Sequence, residues 1–184
     1  MIQEIITYIV PVLVLMDIFF LSIAGGVTLQ PYKWTETIKI SLVFSAVNGL
    51  AAAIAFSLAY ITNPLISDFS NIAGQLFIAF VAVRMMTDAK KIKNEERTFL
   101  VEDNKIVWSL AIATSFSIFL VFLGLGFLGL NNNTPVIILL AATLLLSQMG
   151  LFFGSHYKPV RLGRSSKLAG GFLILVIMII NFII

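Results

Sequence analysis

Six apolar stretches alternate along the chain with short polar joints. They run over 4–24, 38–61, 70–87, 106–128, 135–155 and 168–184, each near the ~20 residues that a helix needs to cross a bilayer. No charged residue interrupts 40–67 or 106–155. The second of these is long enough for two crossings, with the turn AsnAsnAsnThrPro (131–135) between them. The other joints are GlnProTyrLysTrp (30–34), ThrAsnPro (62–64), the charged run Lys90–Lys105 and HisTyrLysProValArg (156–161). Only Lys90–Lys105 is long and polar enough to be a substantial loop. It divides the chain into a first three-helix unit (1–89), a loop (90–105) and a second three-helix unit (106–184). The pattern predicts an all-α integral membrane protein of six transmembrane helices, with Pro11 kinking the first.

Composition agrees with this reading. The 184 residues are 59% hydrophobic and 11% charged, against about 25% charged in soluble chains. The net charge of +3 is not gathered into a basic patch interleaved with aromatics, so nucleic acid is not an expected partner. Without cysteine, disulfides, thiolate metal sites and cysteine nucleophiles are excluded. The first stretch lacks a basic leader and a small-residue cleavage site, so it reads as a retained helix. No nucleophile–base set, phosphate loop or nucleotide motif is present, and no enzyme activity is expected.

The placement of the basic residues carries more than their sum. Lys33 and Lys39 flank the first joint; Arg84, Lys90, Lys91, Lys93, Arg97 and Lys105 belong to the third; Lys158, Arg161, Arg164 and Lys167 fill the fifth. The second and fourth joints have none. The positive-inside bias therefore puts joints one, three and five in the cytoplasm and both termini outside.

Within this frame the stretch Leu13–Gly26 stands apart, because Asp17 is the only ionisable side chain well inside any apolar segment. A carboxylate at the centre of a spanning helix costs about 2.5–3.5 kcal/mol on insertion scales. It is expected to face the bundle interior, either as a cation or proton site or as a polar anchor bonded to a neighbouring Ser or Asn. Ser22, Gly25 and Gly26 follow it, small residues that admit a close backbone or break the helix. Other polar residues in the spans have two readings each. Asn48 is an amide-oxygen ligand or an interhelical hydrogen bond. Thr114, Ser115 and Ser117 line a polar path or simply pack, as do Gln75 and Ser147–Gln148. Met16 is a soft sulfur or gap filler. Arg84 with Asp88 reads as a snorkelling i,i+4 pair, Asn181 as interfacial, and His156 as a lone histidine of a joint.

The topology makes any three-helix repeat an inverted one. A shift of 100 residues sets MetAspIlePhe (16–19) against PheSerIlePhe (116–119) and Gly26 against Gly126. A shift of 96 sets IleAlaGlyGlnLeuPheIle (72–78) against LeuAlaGlyGlyPheLeuIle (168–174). Two inverted repeats around a midplane site are a transporter architecture.

The segment MetAspIlePhePheLeuSerIleAlaGlyGly (16–26) resembles the first-helix motif of the MntP-type manganese efflux pumps. The likeness continues through PheSerAlaValAsn (44–48), ArgMetMet (84–86), AlaIleAlaThrSer (111–115), Gly150, Gly154 and LeuAlaGlyGly (168–171), nearly the whole chain in order. The resemblance implies two inverted three-helix repeats with both termini outside. It also implies an acidic residue in helix one, which Asp17 matches, an acidic or amide residue in helix two, and an aspartate after the ThrSer of helix four. Here those last two positions hold Asn48 and Ser117, and Ala52 stands where the family tends to have proline. The implied cation site is Asp17, Asn48, Ser117 and Thr114. Its single negative charge binds a hard divalent ion more weakly than two or three would.

The function expected on these grounds is secondary export of a cation, Mn²⁺ or a related divalent ion, by alternating access in a bacterial inner membrane. The ion would be substrate, with no permanently bound cofactor. Expected partners are the lipid bilayer and the cation, with a homo-oligomer or other membrane subunits beside them. The alternative is a transport-inactive MntP-like structural subunit of a larger membrane complex, suggested by the two altered site positions and by 16 phenylalanines available to coat a partner-facing surface.

Overall fold

The first apolar stretch folds as two helices, α1 (Ile2–Val14) and α2 (Met16–Gly26), which meet at Leu15. The computed structural model describes residues 2–29, 32–65, 69–91, 103–129, 134–157 and 160–183. At the junction the Leu15 amide donates to the Val12 carbonyl at 3.2 Å, a tightened turn. Upstream, Pro11 lies inside α1 and has no amide proton to give to the ladder. The break therefore falls before Asp17. Gly25 and Gly26, which offered a second place for it, lie inside the last turn of α2.

Each other stretch forms one helix: α3 (Trp34–Thr62), α4 (Ser70–Lys91), α5 (Asn104–Phe127), α6 (Thr134–Tyr157) and α7 (Val160–Ile183), with a 3-10 turn at Asn63–Leu65. Asp103 caps α5, its carboxylate accepting from the Lys105 amide at 2.9 Å. Most of the charged run Lys90–Lys105 and the Asn turn 131–133 lie outside the described residues. The last helix begins eight residues before the apolar stretch that announced it. Hydropathy registers only its lipid-immersed part, whereas the helix includes Arg161, Arg164 and Lys167. Among the described residues no strand occurs, and six spans are long and apolar enough to cross a membrane, α1 and α2 counting as one.

The main packing joins helices that are far apart in sequence. α2 packs on α6 and α7, α3 on α5 and α6, and α4 on α5 and α7, while α1 touches α5, α6 and α7. Helices of the first three-helix stretch thus lie chiefly against helices of the second. Large apolar side chains such as Leu50, Ile54, Tyr60, Phe80, Ile137 and Leu145 point outward. Lipid tails are as apolar as leucine, so helix association in the bilayer depends on close packing instead. The α2–α6 seam has that character. A Cβ on Gly154 would collide with the Ile23 carbonyl, and one on Gly26 with the Leu151 backbone.

Candidate functional site

Asp17 occupies the first turn of α2. Its position follows from the break at Leu15. The amides opening a helix lack intrahelical acceptors, and the positive end of the helix dipole favours a carboxylate there. Leu15 itself keeps right-handed helical dihedrals (φ −70°, ψ −9°), so the junction is a tightened turn and not an unwound segment.

A residue of another helix offsets the cost of the charge. Helix α7 approaches this point because Gly170 has no side chain: a Cβ there would lie 2.9 Å from the Leu13 carbonyl oxygen and 3.0 Å from the Met16 side chain. One turn before Gly170, Lys167 reaches across, and its Nζ lies 2.6 Å from Asp17 Oδ1. The two side chains are 8% and 14% exposed. The ammonium also lies 5.8 Å from the Phe20 ring centroid, within range of a cation–π contact.

This pair corrects three expectations. Lys167 is a buried helical residue and not part of a cytoplasmic joint. Asp17 is not the only ionisable side chain inside the bundle. Its ion-pair partner among the described residues is Lys167, where a Ser or Asn was the expected anchor. The signal that would have found Lys167 is its helical spacing. Lys167, Gly171, Ile174 and Met178 recur at four-, three- and four-residue steps on one buried face, with Gly170 beside them.

The other candidates gather on α3 and α5. Fully buried Asn48 donates from Nδ2 to the Phe44 carbonyl at 2.7 Å, within its own helix. Its Oδ1 faces Thr114 across the seam, with the hydroxyl at 3.5 Å. That hydroxyl also lies 2.9 Å from the Ala111 carbonyl. A hydroxyl has one proton, and the shorter bond holds it, which leaves the Asn48 amide oxygen only loosely partnered. Ser117 follows one turn after Thr114 on the same buried face of α5. Ser115 does not share that face; its hydroxyl bonds the Ile112 carbonyl at 2.8 Å. The structure thus brings Asn48 and Thr114 together. Among the described residues, no hydrogen bond or ion pair joins Asp17 to Asn48, Thr114 or Ser117.

The remaining polar residues sort simply. Gln75 bonds Asn71 at 3.4 Å along α4, and Asn181 is half-buried near the end of α7. His156 is exposed at the end of α6 against Phe152, with ring centroids 4.3 Å apart. Met16 packs by Gly170. Arg84 pairs with Asp88 at 3.7 Å and lies over the Phe116 ring at 5.1 Å. Among the described residues, buried oxygens of Ser22 on α2 and of Ser147 and Gln148 on α6 have no hydrogen-bond partner. Ala52, at the position of the expected proline, is fully buried in α3.

Taken chemically, these residues supply one carboxylate, one amide oxygen, two hydroxyls and one ammonium. Among the described residues no three His, Cys, Asp or Glu side chains are grouped to hold a metal. The Asp17 pair is the one buried group of opposite charges described within the spans.

Six apolar helical spans with a few polar side chains buried among them define a multi-pass protein of the bacterial inner membrane. The chain belongs to the Mntp family, described as "Putative manganese efflux pump", whose model matches residues 31–183. That match begins after α2 and takes in Asn48, Thr114, Ser117 and Lys167. Among curated relatives, "Putative manganese efflux pump MntP" of Citrobacter koseri is 29% identical over 159 residues, covering 85% of this chain and 84% of the relative. The protein of the same name from Bacteroides thetaiotaomicron is 29% identical over 143 residues, 76% of this chain and 74% of the relative. "Probable manganese efflux pump MntP" of Salmonella paratyphi B is 28% identical over 159 residues. No solved structure matches the chain.

Proposed function

We propose that the chain is a secondary exporter of Mn²⁺ or a related divalent cation, with Asp17 as its essential carboxylate. The observation that carries this reading is the carboxylate itself, only 14% exposed within the Ile6–Gly26 span and next to the turn at Leu15, in a chain whose relatives are named manganese efflux pumps. Carboxylates enclosed within membrane spans mark ion and proton pathways. Asn48, Thr114 and Ser117 supply neutral oxygens from α3 and α5, ligands suited to a fairly hard cation.

Alternating access follows if the two halves are inverted repeats. The packing supports that relation. Exchanging α1–α2 with α5, α3 with α6 and α4 with α7 turns the α3–α5 contact into α6–α2 and the α4–α5 contact into α7–α2. The α3–α6, α4–α7 and α1–α5 contacts map onto themselves. Because the halves interlock in this way, rocking them as two rigid bodies would break most interhelical seams at once. A hinge at Leu15 that tilts α2 against α6 and α7 disturbs fewer. Both termini outside, joints one, three and five in the cytoplasm, and the division at 90–105 complete the reading.

The test is transport. Everted vesicles carrying the protein should accumulate Mn²⁺ above control vesicles, and Asp17→Asn should abolish the difference. Equal uptake by the Asn variant would remove Asp17 from the mechanism.

A second reading, a transport-inactive subunit of a larger membrane assembly, draws on the Asp17–Lys167 pair, since a carboxylate already neutralised needs no ion. Other membrane subunits recovered at a fixed ratio in mild detergent, with no Mn²⁺ uptake by vesicles, would favour it.

A further inference from the structure

We propose that the Lys167 ammonium is a tethered cation occupying the ion position of Asp17, and that a divalent ion loads the site only by displacing it. The inference rests on reading Asp17 as the cation-binding carboxylate. Its own observation is the geometry of the pair. Nζ stands 2.6 Å from Oδ1 with the two side chains 8% and 14% exposed, in a position that a cation bound to this carboxylate would take.

Three features fit a resident cation better than a surface ion pair. Gly170 lets α7 approach the Leu13–Met16 backbone, so the stem of Lys167 enters from close range. The ammonium also faces the Phe20 ring at 5.8 Å, a second cation-binding group beside the carboxylate. Phe20 lies one turn after Asp17 on α2, so one helix face supplies both partners.

Charge makes the two occupants exclusive. Asp17 and Lys167 together are neutral, and the other candidate donors, Asn48, Thr114 and Ser117, carry no charge. A divalent ion entering beside the ammonium would leave three positive charges against one carboxylate in a medium that screens poorly. An ammonium has three donors and no acceptor, so it cannot join the coordination shell. It has to leave.

The flexible four-carbon stem permits that movement. Helical side chains lean toward the helix N-terminus, which for α7 is the end carrying Arg164 and the polar joint. Lys167 thus gates loading from that end. It also raises the affinity threshold, because an ion must outcompete a cation that never diffuses away.

The experiment uses the full chain in mild detergent with Mn²⁺ as the probe. Free Mn²⁺ is counted by electron paramagnetic resonance to give binding. Lysine acylation, read peptide by peptide, reports release of the ammonium. Lys167→Met, which keeps the stem and removes the charge, should bind Mn²⁺ at least ten-fold more tightly than wild type. The gain should vanish in Asp17→Asn/Lys167→Met. In the wild-type protein, whose folding is not at issue, Mn²⁺ should raise acylation of Lys167 several-fold over chelator while Lys33 and Lys90 stay constant. Lys167 acylation unchanged by Mn²⁺, or a folded Lys167→Met that binds no better than wild type, overturns the proposal. The exporter reading is judged separately. Vesicles that export Mn²⁺ without any Lys167 response keep the exporter and lose the tethered cation. A Lys167→Met gain without wild-type transport keeps the tethered cation and turns the chain into a locked relative of a pump.

Discussion

Lys167 and Asp17 lie 150 residues apart in sequence, and their charged atoms meet at 2.6 Å inside the bundle. Each is what permits the other to be there. Removing one partner from a buried pair leaves an uncompensated charge, which costs about 3–5 kcal/mol. Asp17→Asn is therefore expected to lose transport and also to lower the thermal midpoint of the detergent-solubilised protein. Asp17→Asn/Lys167→Met should recover much of the stability and none of the transport. A single variant as stable as wild type would mean that water or another group reaches the ammonium.

Ser117→Asp tests the second half of the site. The position is buried on α5 beside Thr114, and a carboxylate there would add the negative charge that a divalent ion needs. Without metal the new charge lacks a partner, so the variant should be less stable than wild type in chelator. With Mn²⁺ at one hundred times its dissociation constant it should regain about 2.7 kcal/mol. A thermal-shift series that shows no greater Mn²⁺ effect than in wild type would exclude position 117 from the ion site.

The α2–α6 seam predicts a packing defect of a different kind. Ala at position 154 would place its methyl group against the Ile23 carbonyl, and overpacking of this kind costs about 1–3 kcal/mol. Gly154→Ala should lower the thermal midpoint, with or without metal. If it melts like wild type, the two helices are not in backbone contact there.

Orientation is open to labelling, since the chain has no cysteine to interfere. A cysteine replacing Leu65, highly exposed after α3, should react in sealed cells with an impermeant thiol reagent. One replacing Lys105 should react only after permeabilisation. The reverse pattern would invert the topology and with it the direction of loading past Lys167.

Reading the chain as a line of residues was enough to find the spans. Trp34–Leu65 and Asn104–Phe127 are long and apolar enough to cross the membrane, because charge-free runs such as 40–67 and 106–155 have few alternatives. It also found Asp17, because a carboxylate among leucines and phenylalanines is anomalous without any knowledge of neighbours. Asn48 and Thr114 were legible as polar residues in apolar runs. That they meet each other was not, since 66 positions separate them.

What only the tertiary structure decided is the company each polar group keeps. Lys167 stands one residue before an apolar stretch, where hydropathy assigns it to a joint. Three-dimensional packing assigns it to the interior, because Gly170 brings α7 against the break at Leu15. The physical reason is one of range. Transfer from water to lipid depends on local composition and sums along the chain, so a sequence determines it. The energy of a charge in the bilayer depends on what lies within a few ångströms, and that is settled by which helices pack together.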